Sequence, residues 1–154
     1  GKSSLLNALT NAKSKVAAYQ FTTLEPNLGD MHKFILADIP GLIEGASAGR
    51  GLGDKFLRHI SRTKMILHCI SLENDDITGA YKTIRGELEA YSRDLAEKRE
   101  IIILTKTDLA DGKTLRAKIK KAKKLNPNVL TASVLDDGQV KVLKDDLVKI
   151  LRNL

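Results

Sequence analysis

The sequence predicts an α/β fold in which a mainly parallel sheet is covered by helices on both faces. Four short apolar runs, at 33–37, 64–71, 101–104 and 129–132, have the length of strands. They lack polar alternation, which is typical of parallel strands buried on both faces. Stretches with apolar residues at helical spacing alternate with these runs. The length of 154 residues suits a single domain with a sizeable core.

Helical spacing of apolar residues defines the other elements. Leu5, Leu6 and Leu9 share one face of a first helix, which begins near Ser3. Four more helices are predicted over 52–62, 77–97, 113–124 and 140–153. Pro127, between two asparagines, marks a turn before the last strand.

Composition excludes several classes of protein. A hydrophobic content of 42% with 29% charged residues is typical of a globular domain. No apolar run approaches the roughly 20 residues of a membrane span. The single cysteine, Cys69, rules out an internal disulfide and favours the cytoplasm.

The charge is basic and unevenly distributed. Lysine and arginine number 26 against 19 acidic residues, a net charge of +7. Many of the lysines crowd into the predicted helix 113–124. This run is compatible with a polyanionic partner and equally with an ordinary solvated helix face.

The first residues match the end of a phosphate-binding motif. Gly1, Lys2 and Ser3 form the tail of the loop G-x-x-x-x-G-K-[ST], which joins a strand to a helix. The N-terminus of a helix attracts phosphate, and the lysine of this motif reaches the β- and γ-phosphates. The serine hydroxyl can ligate Mg²⁺.

The motif predicts that the chain begins inside the phosphate loop and lacks the first strand of its sheet. The neighbours of that strand would then have unpaired backbone groups, and each buried one costs about 1–3 kcal/mol. We therefore expect this chain to be unstable alone and to bind nucleotide poorly.

Polar residues follow the predicted strands at the edge where parallel sheets bind ligands. They are Asp38, the segment 105–108 and Ser133. Asp38 suits a second oxygen ligand of Mg²⁺, and Gly41 allows the backbone N–H to approach a terminal phosphate. An ordinary Pro-Gly turn is the alternative explanation of 38–41.

Three longer stretches resemble the GTPase domain of the bacterial Obg proteins. They read FTTLEPNLGDM at 21–31, ADIPGLIEGA at 37–46 and GLGDKFLRHISRT at 51–63. The related Drg GTPases share the AAY-x-FTT pattern but lack the Pro-Asn-Leu-Gly at 26–29. The resemblance implies a three-layer P-loop NTPase fold of the Ras-like type, with an Obg-type G domain over 1–154. A Drg-type GTPase stays open as an alternative.

The resemblance also implies GTP and GDP as ligands, with Mg²⁺ as cofactor. It assigns the phosphate loop to Gly1, Lys2, Ser3 and Ser4. Phe21 would either cover part of the nucleotide or pack within the protein, and the sequence favours neither role. The magnesium ligands would be Ser3, Thr23 and Asp38, with Thr22 as the substitute for Thr23. Gly41 would sense the γ-phosphate. The catalytic machinery would consist of Lys2, Thr23 and Gly41.

Guanine recognition is assigned by the same resemblance to Thr105, Lys106, Asp108, Ser133 and Val134. A carboxylate such as that of Asp108 can accept hydrogen bonds from both N1 and N2 of guanine, a pair of donors that adenine does not offer. The family has asparagine where this chain has Thr105. We expect weaker guanine affinity with retained selectivity.

Leu42 stands where Ras-type enzymes have a glutamine that orients the attacking water. Leucine cannot hydrogen-bond water, so slow hydrolysis is expected. The resemblance further implies a monomer that binds the large ribosomal subunit and its rRNA, with ppGpp as a further guanine ligand. The alternative is a hydrolysis-deficient module that docks on the ribosome or RNA.

Overall fold

The computed structural model describes residues 2–10, 15–16, 27–38, 63–91 and 93–154. The elements follow one another as α1 (Lys2–Leu9), β1 (Lys15–Val16), β2 (Asn27–Met31), β3 (Phe34–Ala37), β4 (Met65–Ser71), α2 (Ile77–Tyr91), α3 (Arg93–Ala96), β5 (Arg99–Thr105), α4 (Gly112–Leu125), β6 (Val129–Ala132) and α5 (Asp137–Arg152). The predicted helix 52–62 lies outside the described residues.

The described strands form two three-stranded sheets. In the order β4-β5-β6 all strands are parallel, as predicted, with Ser71 opposite Thr105 and Thr105 opposite Ala132. In the order β1-β2-β3 they are antiparallel. The strand prediction for 33–37 is confirmed in position but wrong in direction, because β3 pairs antiparallel with β2 through a tight turn at His32.

The strands β1 and β2 are additions to the predicted set. Asn27, Gly29 and Asp30 belong to residue types that are depleted in strands, so composition gave no signal for β2. The hairpin with β3 supplies the pairing that local preference lacks, with Met31 opposite Phe34. Met31 is fully buried and anchors β2 to the main core.

The central strand β5 organises the core into three layers. Ile101 and Ile103 face the side covered by α1 and α5, whereas Ile102 and Leu104 face the side covered by α2 and α4. All four are completely buried, as an uninterrupted apolar strand requires. Burying each such side chain is worth about 1.5–3 kcal/mol relative to exposure.

Side-chain caps set the starts of the later helices. The Asp111 carboxylate accepts a hydrogen bond from the Thr114 N–H at 2.6 Å, which begins α4 at Gly112 and lowers the pKa of Asp111. Asp136 caps α5 in the same way and starts that helix before the predicted residue 140. The predicted helix 77–97 is divided between α2 and α3. Within the described ranges, no helix is long and apolar enough to cross a membrane.

A buried polar cluster surrounds Glu100 at the start of β5. Its carboxylate accepts hydrogen bonds from the Tyr81 hydroxyl at 2.7 Å and from Arg85 at 3.1 Å, and it lies 3.5 Å from His68 Nδ1. The rings of His68 and Tyr81 stack with centroids 5.0 Å apart. Arg85 also donates to the Ala96 carbonyl at 2.7 Å. The cluster therefore ties α2, α3, β4 and β5 together.

The surroundings of Glu100 keep it ionised. Burial alone raises the pKa of Glu100, but hydrogen bonds from His68 and Tyr81 and the positive charge of Arg85 bring it down to about 2. Burial and the hydrogen bond to Glu100 raise the pKa of Tyr81 to about 12. The cluster is thus a carboxylate held by donors, at the edge of the sheet opposite to the carboxyl ends of the parallel strands.

Candidate functional site

The carboxyl ends of β4, β5 and β6 lie side by side. The register pairs their last residues, so the segments that follow them meet at one edge of the sheet. These segments are 72–73 after β4, 106–108 after β5 and 133–135 after β6. Two of the three contain residues predicted to recognise guanine.

A hydrogen bond joins those two segments. Ser133 is 1% exposed, and its hydroxyl donates to Oδ1 of Asp108 at 2.7 Å. The same hydroxyl accepts from the Leu135 N–H at 3.2 Å. Asp108 itself is exposed, in a 3₁₀ turn over Thr107–Leu109. A buried hydroxyl therefore orients an exposed carboxylate, which retains acceptor capacity for further donors.

The turn that carries Asp108 is fixed from both sides. The Thr107 hydroxyl donates to Gln139 Oε1 at 2.8 Å, which links the turn to α5. The Leu72 N–H donates to the Thr105 carbonyl at 3.0 Å, which links it to the loop after β4. Both threonines are buried. The carboxylate thus projects from a backbone that is braced by its neighbours.

Lys106 adopts a left-handed backbone conformation with φ of 60°. A non-glycine residue there is uncommon and carries a cost, so it persists where surrounding contacts hold it. The Leu109 N–H donates to the Lys106 carbonyl at 3.0 Å. The ammonium group lies 2.8 Å from Glu73 Oε2, and this contact lowers the pKa of Glu73.

Glu73 is a site residue that the sequence interpretation missed. It lies two positions beyond the end of β4, and Ser71 braces it by donating to its carboxylate at 3.4 Å and accepting from its N–H at 3.2 Å. The signal was an acid two positions after a strand end, in the segment Cys-Ile-Ser-Leu-Glu. That segment belongs to none of the motifs that carry the resemblance, so the motifs did not identify the acid.

The phosphate end of the predicted site is described only in part. Lys2 and Ser3 occupy the first positions of α1, and Ser4 is exposed on that helix. Asp38 directly follows β3 and is half-buried. Val134 follows Ser133 and is partly exposed. Gly1, Phe21, Thr22, Thr23 and Gly41 lie outside the described residues, as does Leu42.

α1 is positioned by the core. Leu5 and Leu9 are buried in the cluster that also holds Leu147 and Leu151 of α5. This packing positions α1 against α5, the helix whose Gln139 contacts the turn that carries Asp108. Oxygen donors such as Ser3 and Asp38 are the ligand types that Mg²⁺ prefers.

Comparison with known proteins agrees with this architecture. The family model of the 50S ribosome-binding GTPase matches residues 1–106. A protein named GTPase Obg from Pelagibacter ubique is 47% identical over 153 residues, which cover 96% of this chain and 47% of that protein. A GTPase Obg from Rhizorhabdus wittichii is 46% identical over 156 residues, covering 98% of this chain and 45% of that protein. The chain spans about half the length of these relatives.

A solved structure shares the fold. It is Era in complex with MgGDPNP and nucleotides 1506–1542 of 16S ribosomal RNA. The TM-score is 0.54 at 18% sequence identity, over 94% of this chain and 52% of that one. At that identity the likeness bears on the fold alone, which is that of a P-loop GTPase domain.

Proposed function

The chain belongs to the Obg family of 50S ribosome-binding GTPases, and from that membership we propose that it is the nucleotide-binding domain of a molecular switch. The switch binds GTP and GDP with Mg²⁺ and hydrolyses GTP slowly. The observation that carries this proposal is the exposed Asp108 carboxylate, oriented by the buried Ser133 hydroxyl at the carboxyl edge of the sheet.

Asp108 suits the reading of guanine. The donors N1–H and N2–H of guanine point the same way, and a carboxylate accepts from both. Ser133 contacts Oδ1 and so fixes the rotation of the carboxylate before a base arrives. Lys106, held by Glu73, lies beside it at the same strand end. Recognition by preset acceptors reduces the entropy lost on binding.

At the phosphate end, Lys2, Ser3 and Ser4 would hold the phosphates from the N-terminus of α1. Ser3, Thr23 and Asp38 would hold Mg²⁺, which neutralises charge on the phosphates when bound. Gly41 would meet the γ-phosphate through its N–H. The glycine-rich segment at 45–53 would order with GTP and relax after hydrolysis.

Slow hydrolysis follows from Leu42, which cannot orient an attacking water. We expect single-turnover GTP hydrolysis at a rate on the order of 10⁻³ per second or slower, the range of unassisted small GTPases. Chelation of Mg²⁺ should abolish it. The measurement is phosphate release from the intact protein after it has been loaded with GTP and freed of excess nucleotide.

A Leu42→Gln variant serves as the control for that assay. Glutamine restores the group that orients water, so the rate should stay equal or rise. A large fall in the rate would instead assign Leu42 a role of its own in catalysis. Absence of any Mg²⁺-dependent phosphate release would favour the hydrolysis-deficient docking module, whose structural support is the basic helix α4.

The wider role is proposed from the family. The switch would act in the cytoplasm, as a monomer, on the large ribosomal subunit and its rRNA during assembly. The alarmone ppGpp shares the guanine base and would compete for the same carboxylate. Because ppGpp and GDP contain the same base, their competition can be measured by the displacement of labelled GDP.

The Glu73→Gln substitution tests whether Glu73, through its ion pair with Lys106, contributes to nucleotide binding. Glu73 is exposed and solvent screens its ion pair with Lys106, so GDP affinity should fall by only about two- to fivefold. Added salt should shrink the difference. Asp75→Asn, in the same loop, is the matched control and should leave affinity unchanged. Equal effects in both variants would contradict a specific role for Glu73.

A further inference from the structure

The net positive charge of this protein is concentrated in one helix. α4 contains seven lysine and arginine residues and no acidic residue between Gly112 and Leu125. The chain as a whole has 26 basic and 19 acidic residues. Outside α4, therefore, 19 basic residues balance 19 acidic ones. The entire net charge of +7 is accounted for by this helix.

α4 separates its apolar and charged residues cleanly. Ala122 is buried in the core, and Leu115, Ile119 and Leu125 pack against the same cluster. Of the seven lysine and arginine residues of α4, all except Lys118 are exposed. We call these six the basic face: Lys113, Arg116, Lys120, Lys121, Lys123 and Lys124. With a rise of about 1.5 Å per residue, this face is about 16 Å long.

Hydrogen bonds hold the basic face in place. Lys118 is turned towards the body of the domain, where its ammonium group donates to the carbonyls of Leu72 and Asn74 at 2.8 and 2.9 Å. Asp111 caps the start of the helix, and Asn126 at its end donates to the Glu100 carbonyl at 2.9 Å. The cations therefore project from a backbone that needs no rearrangement to bind a partner.

The chemistry of the face selects among polyanions. α4 has no aromatic side chain on which an unpaired base could stack. Its large apolar side chains, Leu115, Ile119 and Leu125, pack against the core, so it has none to insert into a lipid interface. What remains is a rigid row of cations, which fits the regularly spaced phosphates of a double helix.

We infer that the basic face of α4 is a docking surface for the phosphate backbone of double-helical RNA. The choice of RNA rests on the proposed function, since the family is one of ribosome-binding GTPases. Binding of this kind releases counterions and is insensitive to sequence, and its affinity falls steeply with salt. Two members of the face have an acidic neighbour: Asp146 lines the same groove as Lys123, and the positive charge of Arg116 helps to lower the pKa of Asp111.

The test is a triple substitution, Lys120→Gln, Lys121→Gln and Lys124→Gln, in the intact protein. Binding to an RNA duplex of unrelated sequence is measured between about 50 and 200 mM salt. Each lost phosphate contact lowers the slope of log K against log salt by about 0.9, so the triple variant should lose about 2 to 3 in slope. At about 0.1 M salt its affinity should fall by roughly 100-fold.

The matched control removes the same charge elsewhere, by Lys82→Gln, Lys141→Gln and Lys149→Gln on exposed positions of α2 and α5. It should weaken RNA binding by less than about threefold, because distant charges are screened. Equal losses in the two triple variants would overturn the inference, since net charge alone would then explain binding. So would an unchanged affinity in the α4 variant, or tighter binding to anionic vesicles than to RNA.

GDP binding, measured on the same samples, separates this inference from the proposed function. The α4 variant should bind GDP as the unmodified protein does, because the substituted lysines lie outside the nucleotide site. If no sample bound GDP, the switch would fail while the RNA result stood on its own. Loss of GDP binding in the α4 variant alone would overturn the docking inference, because the substitutions would then have disturbed the domain.

Discussion

Replacing Asp108 with asparagine is expected to weaken GDP binding by about 100-fold or more and to create affinity for the xanthine nucleotide XDP. Hydrogen bonds to charged groups are worth about 1.5–3 kcal/mol each, and the substitution replaces one of the two acceptors by a donor that opposes a donor of guanine. Asparagine keeps one acceptor and presents one donor. Xanthine, with N1–H and a carbonyl at C2, complements that pattern.

The measurement is displacement of fluorescent GDP by GDP and by XDP. Asp145→Asn, at an exposed position of α5, is the matched control and should leave both affinities unchanged. Ser133→Ala should show a milder version of the defect, because the carboxylate remains but loses the donor at 2.7 Å. Unchanged GDP affinity in Asp108→Asn would rule out Asp108 as the residue that reads the base.

In the intact protein, Glu100→Ala is expected to destabilise this domain by about 3–5 kcal/mol, the range for removing one partner of a buried charged cluster. The carboxylate side chain is 6% exposed and receives donors from Tyr81 and Arg85. Its loss leaves those donors unpaired between α2 and β5. Glu89→Ala is the matched control: Glu89 lies 3.7 Å from the same Arg85 but is exposed, so its loss should cost less than about 1 kcal/mol.

The pH profile identifies the cause of that loss. In the folded protein the pKa of Glu100 is about 2, below its ordinary value of 4.5. A depressed pKa stabilises the folded state above pH 4.5, and this contribution disappears as the pH falls towards 2. Between about pH 6 and pH 3 the unmodified protein should lose about 2 kcal/mol from this group.

Urea unfolding across that pH range distinguishes electrostatic from packing effects. Glu100→Ala should show a shallower acid dependence than the unmodified protein, whereas Glu89→Ala should retain the full dependence. A variant that is destabilised equally at every pH would show that packing, and not the held carboxylate, accounts for the loss.

The parallel half of the fold could be predicted from the sequence because a strand buried on both faces is an uninterrupted run of apolar residues. The run 129–132 coincides with β6, and the run 101–104 forms the centre of β5. The strand β2 contains no such run, and pairing across a turn stabilises Asn27, Gly29 and Asp30 in a strand against their own preference. Tertiary pairing, not local composition, decides that element.

In the candidate site, too, some residues could be predicted from sequence motifs and others depend on tertiary contacts. Motif order placed Lys106, Asp108 and Ser133 at neighbouring strand ends, where the structure joins the last two by a hydrogen bond. Glu73 escaped because its role depends on a contact with a distant residue and not on a motif. Thr23, Gly41 and Leu42 lie outside the described residues and stay predictions.

The most direct test of the central claim is a titration of the intact protein with GDP and with ADP in the presence of Mg²⁺. Micromolar or tighter GDP binding is predicted, with ADP weaker by about 100-fold or more, because adenine lacks the donor pair that Asp108 accepts. No binding of GDP at micromolar concentrations, or equal binding of GDP and ADP, would contradict the assignment of this chain as a guanine-nucleotide switch.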